Sequence, residues 1–468
     1  MRQIRRVRAR KLAGQRDAFA LFSKLHENYD SCFLLESAEP DQNLGRYSFL
    51  GFQPQATIAI SENIVRTEHA GGAAQEYDFA GNPFSELRKV GVACKARSLG
   101  FLGGLVGSVS YGATKYFDSA AVAATAARES GGKENFPEME FGLFLDGVVF
   151  DRKKNACTYV TLGEDRFQEV EKLANEPAGP REEKPAGFSV GKGNFSDAVF
   201  ERKVEAAKEF VRAGDVFQVV LSRRREVRML GGRLQFYEKL REINPSPYMY
   251  FLKFGKREIV GSSPEMLVRV EGRGVETYPI AGTRKRGSTS QKDAALGREL
   301  LADEKERAEH LMLVDLARND VGRVAEYGSV KVPKFAEIKK FSHVQHLVSR
   351  VAGRLARGKD CFDAFASVFP AGTVSGAPKL RAMEIIAELE KCPRGPYAGS
   401  VGYFSFNGNC DFAISIRTLF ANGNDAFVQA GAGIVYDSVA EREAVETDNK
   451  MAAIIAALNA TKCRGDLG

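Results

Sequence analysis

Strand-like segments in this chain come in runs rather than in alternation with helices. YAGSVGYFSF (397–406), DFAISIRTLF (411–420) and DAFVQAGAGIV (425–435) are separated only by short turns, and YMYFLKF (248–254) leads directly into REIVGSS (257–263). Strands joined by so few residues pair antiparallel, since a parallel pair needs a crossover of a dozen or more residues. The N-terminal part repeats the habit, with CFLLES (32–37), YSFLGF (47–52) and LFLDGVVF (143–150) set apart by Gly and Asn turns. The class this predicts is α+β built on antiparallel sheets, not a doubly wound fold.

Helical spacing occurs between the strand runs. Phe200, Val204, Ala207 and Val211 recur at the helical period, with Ser196 placed to cap the start and Gly214 just past the end. Further helices are expected over 303–319, 380–391 and 439–459, the last with a Ser438/Glu441 capping box and a stripe of Met451, Ile454, Ile455 and Leu458. DVFQVVLSRR (215–224) reads as a strand with Phe217, Val219 and Leu221 on one face. A Pro- and Gly-rich stretch over 172–195 has almost no apolar periodicity, which divides the chain into a strand-rich lobe 1–175, a linker 176–194 and a second region 195–468. Another loose segment, 120–136, interrupts the first lobe.

The 468 residues are enough to bury a large core. No run approaches the ~18 consecutive apolar residues of a membrane span. The basic opening MRQIRRVRARKLAGQ has no apolar signal-type segment, and Ile4 and Val7 alternate there as in a first strand, so a cytoplasmic protein with no membrane partner is expected. The formal net charge of +7 is dispersed rather than gathered in an aromatic-interleaved patch, which argues against nucleic acid as a partner. Seven cysteines, odd in number and without CxxC spacing, read as reduced thiols.

Several local patterns point to an anionic ligand. Glu309 shares a helical face with Met312, Leu313 and Leu316, and a carboxylate on an apolar stripe calls for a partner. Glu443 and Glu446 stand three apart on another helix. Two such helices could hold one Mg²⁺, which takes oxygen ligands and keeps water and a substrate anion in its shell. Glu446 also precedes Lys450 by four residues, so a plain ion pair is the other reading. In FPAGTVSGAPKLRAMEII (369–386) a Gly-rich turn feeds a helix, an arrangement that binds anions. Pro378 and the absence of Ser or Thr after Lys379 rule out a P-loop, and Pro378 merely opening a helix is the alternative. Arg417 lies in an otherwise apolar strand, where a guanidinium needs a carboxylate or phosphate to fork onto. Gly431, Ala432 and Gly433 strip the following strand of bulk, marking either a bulge or the close approach of a ligand.

Eight segments in order, PIAGTRKRG (279–287), EHLMLVDLARND (309–320), FSHVQHLVSR (341–350), FPAGTVSGAPK (369–379), YAGSVGYFS (397–405), AISIRT (413–418), QAGAGIV (429–435) and ETDNK (446–450), resemble the signatures of the chorismate-utilising enzymes. Within them the match is nearest to the large subunits of anthranilate synthase, and it extends back to GRYSFLGF (45–52) and LLES (34–37). The resemblance implies antiparallel sheets packed in a sandwich with flanking helices. It also implies that chorismate and ammonia are converted to anthranilate and pyruvate.

By the same resemblance, Glu309 and Glu446 bind Mg²⁺ against the ring carboxylate of chorismate. Tyr397, Arg417, Lys450, the Gly282–Thr283 turn and the amides around Gly431, Ala432 and Gly433 hold the substrate. Glu265, in the SSPE run, protonates the departing hydroxyl. Gln218 stands where water-adding relatives carry a lysine base, and neutral ammonia needs less help from a base. His346, expected on a helix, takes part in the loss of pyruvate with Thr373 nearby.

LLES and NPSPYM (244–249) resemble the family's feedback site, implicating Ser37, Pro245, Ser246 and Pro247 in binding tryptophan as inhibitor. No cysteine sits in a GxCxG elbow, so ammonia is expected from a separate glutamine amidotransferase subunit. Ala281, in place of the lysine of a PIKGT turn, separates the chain from its nearest rival, the component that makes 4-amino-4-deoxychorismate. A non-catalytic regulator that binds chorismate or tryptophan is the reading from another class.

Overall fold

The structure, a computed structural model, describes residues 6–14, 17–38, 45–90, 101–118, 136–176, 187–341 and 344–461. Two 12-stranded sheets dominate it, and the strand pairings are antiparallel, in agreement with the α+β class read from the strand runs. The first sheet runs, edge to edge, through Arg8–Leu12, Ala156–Thr161, Asp146–Asp151, Tyr47–Phe52, Ser31–Glu36, Tyr248–Phe254, Arg257–Ser263, Thr418–Asn422, Asp425–Ile434, Gln218–Leu230 and Gly187–Gly193. The second carries Ile280–Lys285, Val344–Arg354, Gly274–Thr277, Met266–Glu271, Cys410–Ile414, Ser400–Ser405 and Gly104–Val109, then continues through N-terminal strands to Ala74–Asp78.

The sheets pack on each other through one apolar core. Phe33, Leu252 and Ile259 of the first sheet join Phe141, Phe144, Val401, Phe404 and Phe412 of the second, with the Phe33 and Phe144 rings edge to face at 4.7 Å. Helices Ala18–Asn28, Arg233–Ile243 and Ala440–Ala460 cover the other face of the first sheet. Helices Asp197–Arg212 and Lys379–Glu390 pack on its strand Gln218–Leu230. Helix Glu304–Gly322 lies against the end of the second sheet, near Ile280–Lys285 and Val344–Arg354.

Both sheets cross the expected linker. Ser31–Glu36 pairs with Tyr248–Phe254 and Gly104–Val109 with Ser400–Ser405, so residues before and after 176–194 share ladders. Residues 177–186 of that linker and 120–135 of the expected loose segment lie outside the described residues, as do Ile4, Cys94 and Cys463. Cys32, Cys157, Cys361, Cys392 and Cys410 are free thiols. Among the described residues no helix is long and apolar enough to cross a membrane.

Helix Asp197–Arg212 starts as its sequence indicates, with the Ser196 hydroxyl accepting from the Val199 N–H, and Gly214 follows at φ +82°. Elsewhere the chain corrects the reading. Val439, not Ser438, occupies the N-cap position of helix Ala440–Ala460, and the Ser438 hydroxyl instead accepts from the Val435 N–H. Phe217 is 71% exposed and lies just before the strand, which starts at Gln218. The span 411–420 is two strands, one in each sheet, with a break at Ser415–Arg417. His346 belongs to the strand Val344–Arg354 rather than to a helix.

Candidate active site

The break at Ser415–Arg417 is where the chain leaves one sheet and enters the other. Arg417 takes φ +53°, a left-handed conformation costly for a residue with a Cβ. Its side chain therefore does not continue the apolar strand expected of it. Burial lowers its pKa, opposed by the negative charge of Glu265. Glu265 lies two residues past the end of the strand Arg257–Ser263, and Ile414 N–H donates to its carbonyl, which ties it to the same crossover.

The Glu265 carboxyl is buried, and desolvation raises its pKa to about 7. The Thr373 hydroxyl, Arg417 and Lys450 oppose the rise without cancelling it. Thr373 belongs to the short helix Gly372–Ser375, and its Oγ1 is buried without a hydrogen bond of ordinary geometry. A carboxyl that is half protonated near neutral pH beside a cation can donate a proton to a leaving group.

His346 faces the bulge in strand Ile280–Lys285, where Gly282 sits at φ +64°. Its Nδ1 lies 2.7 Å from the Gly282 carbonyl oxygen and 3.1 Å from Thr283 Oγ1. A carbonyl only accepts, so Nδ1 carries the hydrogen and Nε2 is left with its lone pair. Burial, with help from Arg417 and Lys450, pushes the imidazole pKa down to about 4, although the bond to Gly282 resists.

Gly431 and Gly433 lie opposite Ser222 and Val220 in the neighbouring strand. A Cβ at Gly431 would stand 2.9 Å from the Tyr397 hydroxyl and 2.9 Å from the Leu221 carbonyl; one at Gly433 would stand 2.4 Å from Gln218 Nε2. The missing side chains thus make room for Tyr397 and Gln218, and the alternative of a bulge is not what they mark. Tyr397 is buried just before strand Ser400–Ser405, in a turn with Ala398 at φ +60°. Gln218 Oε1 is buried with no hydrogen-bond partner. Ala432, between the two glycines, points into the core shared with Val219 and Leu221. Lys450 Nζ donates to the Gly431 carbonyl at 2.8 Å and pairs with Glu446 at 2.7 Å, so the plain ion pair considered for Glu446 is formed.

Glu309 is partly buried on helix Glu304–Gly322. Burial raises its pKa, Lys305 relieves it in part, and Glu306, Glu443 and Glu446 raise it further. Glu443 is likewise raised, by burial first and then by Glu446, with the Ser438 hydroxyl opposing. Among the described residues no three His, Cys, Asp or Glu side chains form a metal cage by themselves. Glu309 and Glu446, on separate helices but close enough for their charges to repel, still fit Mg²⁺, which leaves other positions to water and further oxygens. The Gly-rich turn at 369–379 is different: Lys379 Nζ is held by Asp320 at 2.8 Å and the Val368 carbonyl at 3.1 Å, and Pro378 opens the helix.

One pair escaped the sequence reading. Arg394 and Glu390, with side chains 2% and 4% exposed, form a salt bridge at 2.6 Å at the end of helix Lys379–Glu390. The signal was present as a Glu and an Arg four apart before PYAGS, yet nothing in the sequence indicates that both are buried.

A separate cavity of about 310 Å³ opens between the sheets, lined by Glu36, Ser37, Pro247, Tyr248, Tyr403 and Asp411 among others. Ser37 Oγ is buried without a partner, and Ala38 N–H donates to the Ser246 carbonyl, which brings the LLES and NPSPYM segments together. Pro245 lies beside Ser246, whose hydroxyl donates to the Asn244 carbonyl at 3.4 Å.

The model of the chorismate binding enzyme family matches residues 30–456. Anthranilate synthase component 1 from Methanothermobacter thermautotrophicus is 51% identical over 444 residues, covering 94% of this chain and 92% of that protein. Aminodeoxychorismate synthase component 1 from Bacillus subtilis is 40% identical over 471 residues, covering 97% of each. The crystal structure of anthranilate synthase component I from Streptococcus pneumoniae superposes with a TM-score of 0.75 at 38% identity, covering 88% of this chain and 92% of that one.

Proposed function

Because the chain belongs to the chorismate binding enzyme family, we propose that it works as the large subunit of an anthranilate synthase, joining chorismate and ammonia to give anthranilate, pyruvate and water. The observation that carries this reading is the neutral Gln218 amide set against Gly433, on the strand whose Gly431 carbonyl binds Lys450, with Lys450 near enough to the acid Glu265 to oppose its pKa rise to about 7. A neutral amide can accept a hydrogen bond from ammonia without abstracting a proton, whereas adding water calls for a base.

Arg417, Lys450, the Tyr397 hydroxyl and the backbone at Gly282, Thr283, Gly431, Ala432 and Gly433 bind the two carboxylates of chorismate. Glu309 and Glu446 would hold Mg²⁺, which when bound neutralises the ring carboxylate and makes the ring a better electrophile. Ammonia then bonds to the ring carbon beside that carboxylate, the double bonds shift, and the C–O bond to the allylic hydroxyl breaks. Glu265 gives its proton to that oxygen, which leaves as water, while the new ammonium group sheds a proton. Loss of pyruvate follows. The hydrogen on the aminated carbon is removed, the enolpyruvyl methylene gains a proton, and the ether bond breaks as the ring becomes aromatic. Neutral His346, with Nε2 free and Thr373 nearby, serves this second step.

Tryptophan would bind in the inter-sheet cavity through Ser37 and the Pro245, Ser246 and Pro247 segment, and ammonia would come from a separate glutamine amidotransferase subunit in the cytoplasm. The component 1 designation of the relatives supports a two-component enzyme.

Mixing the purified chain with chorismate, Mg²⁺ and ammonium tests the reading: anthranilate fluorescence should develop. The Bacillus subtilis relative keeps one rival in play. Accumulation of 4-amino-4-deoxychorismate would decide for it, and untouched chorismate would point to a silent regulator.

A further inference from the structure

Arg394 makes an unusually complete set of contacts for a residue that lies outside the substrate pocket. Its Nε and Nη2 donate to the two Glu390 carboxylate oxygens at 2.9 and 2.6 Å. Nη1 donates to the Val374 carbonyl at 2.7 Å and Nη2 to the Val220 carbonyl at 2.7 Å. Its guanidinium lies over the Tyr111 ring at 4.8 Å and the Tyr397 ring at 5.8 Å from the centroids. Glu390 is satisfied in turn by the Ser222 N–H and hydroxyl at 2.7 and 2.8 Å.

Each partner adjoins the pocket. Val374 follows Thr373. Val220 pairs with Gly433, and Ser222 with Gly431. Tyr397 places its hydroxyl against Gly431. A buried ion pair is expensive to desolvate and is weak evidence for stability alone, so a role in fixing geometry is the better account of one whose guanidinium uses four of its five N–H donors.

We propose that Arg394, forked onto Glu390, is a positioning residue for the reaction: it holds the Tyr397 ring, the Thr373 turn and the glycine strand in the one arrangement that presents the Tyr397 hydroxyl to a substrate carboxylate. The inference rests on the reading of this pocket as a chorismate site. Arg394 does not touch substrate; it acts through Tyr397 and the two carbonyls.

The test is a double-mutant cycle on the full chain, read both as kcat/KM and as direct chorismate binding. Tyr397→Phe removes the hydroxyl and should lower kcat/KM by about tenfold or more, the loss expected for a hydrogen bond to a charged group. In the Arg394→Met background the same change should cost less than about twofold, because the hydroxyl is no longer held in place. Arg394→Lys keeps the charge but loses the fork, and should behave like Arg394→Met. If Arg394→Met does not fold, Glu390→Gln, which weakens the fork and keeps its shape, takes its place in the same cycle. Equal Tyr397→Phe losses in both backgrounds, or full activity in Arg394→Lys, would overturn the proposal. Failure of the unaltered protein to bind chorismate would overturn the pocket reading instead.

Discussion

His346 Nδ1 and the Gly282 carbonyl oxygen meet at 2.7 Å across the bulge between two strands of the second sheet. The contact sets the tautomer of a buried imidazole whose pKa lies at about 4, so the ring is neutral and basic at Nε2 through the physiological range. Within the same pocket burial moves the Glu265 carboxyl the other way, to about 7. Beside the same two cations, Arg417 and Lys450, the proposed mechanism would thus have a free base and a half-protonated acid at neutral pH.

The pH profile of kcat/KM should carry both values. In the proposed mechanism His346 works deprotonated, so activity should be lost as pH falls through about 4. In that mechanism Glu265 works protonated, so activity should be lost as pH rises through about 7. Glu265→Gln should lower turnover by about 10²–10⁴-fold, and its residual profile should lack the limb near neutrality. A limb that persists there in the variant would assign it to another group.

The two glycines facing strand Gln218–Leu230 should differ in tolerance. Gly431→Ala sets a methyl 2.9 Å from the Leu221 carbonyl, which is backbone and cannot swing aside, as well as from the Tyr397 hydroxyl. Gly433→Ala meets only the far end of the flexible Gln218 side chain. Chorismate affinity should therefore fall more in Gly431→Ala, by tenfold or more if about 1.4 kcal/mol of contact is lost. Calorimetric titration of both variants checks the order, and equal affinities would mean the strand yields at Gly431.

Removing the charge at Glu309 should abolish turnover and weaken divalent-cation binding. Manganese in place of magnesium gives a readout independent of activity, through the electron-spin resonance of the bound ion. Glu309→Gln that retains most of its turnover and binds manganese normally would remove this residue from the metal site. Glu443, pushed up by burial and Glu446, offers the comparison: its substitution by Gln shows whether the second helix contributes one carboxylate or two.

Tryptophan should inhibit, and Ser37→Ala should raise the concentration needed for half-inhibition by about tenfold, as expected when a hydrogen bond to a charged ligand group is lost. The unpartnered Ser37 hydroxyl on the wall of the 310 Å³ cavity motivates this. If tryptophan leaves the initial rate unchanged, the cavity serves another ligand.

How much of this was legible in the sequence depended on which residues marked the turns. Antiparallel sheets followed from short connections, and the helix at 197–212 from Ser196 and Gly214. The crossover at Arg417 and the turn at Ala398 were hidden because both adopt positive φ without the glycine or asparagine that normally announces it. The strand of His346 was hidden for another reason. Gln345 through Ser349 are buried on both faces, which erases the alternation that distinguishes a strand, and Val344, Leu347 and Val348 fall at helical spacing by coincidence. Arg394 and Glu390 drew no notice, since charge gives no sign of burial unless the neighbouring strands are already in place.

The guanidinium of Arg417 makes no hydrogen bond or ion pair with another described residue, while burial lowers its pKa. The folded protein therefore carries a cation whose desolvation the charge of Glu265 offsets only in part, and a dianion entering the crevice supplies further counter-charge. Ligand occupancy should register as heat resistance: at a hundredfold excess over its Kd a ligand adds about 2.7 kcal/mol to the unfolding free energy. A melting-temperature screen of small dicarboxylates would then rank candidate ligands without any assay of turnover.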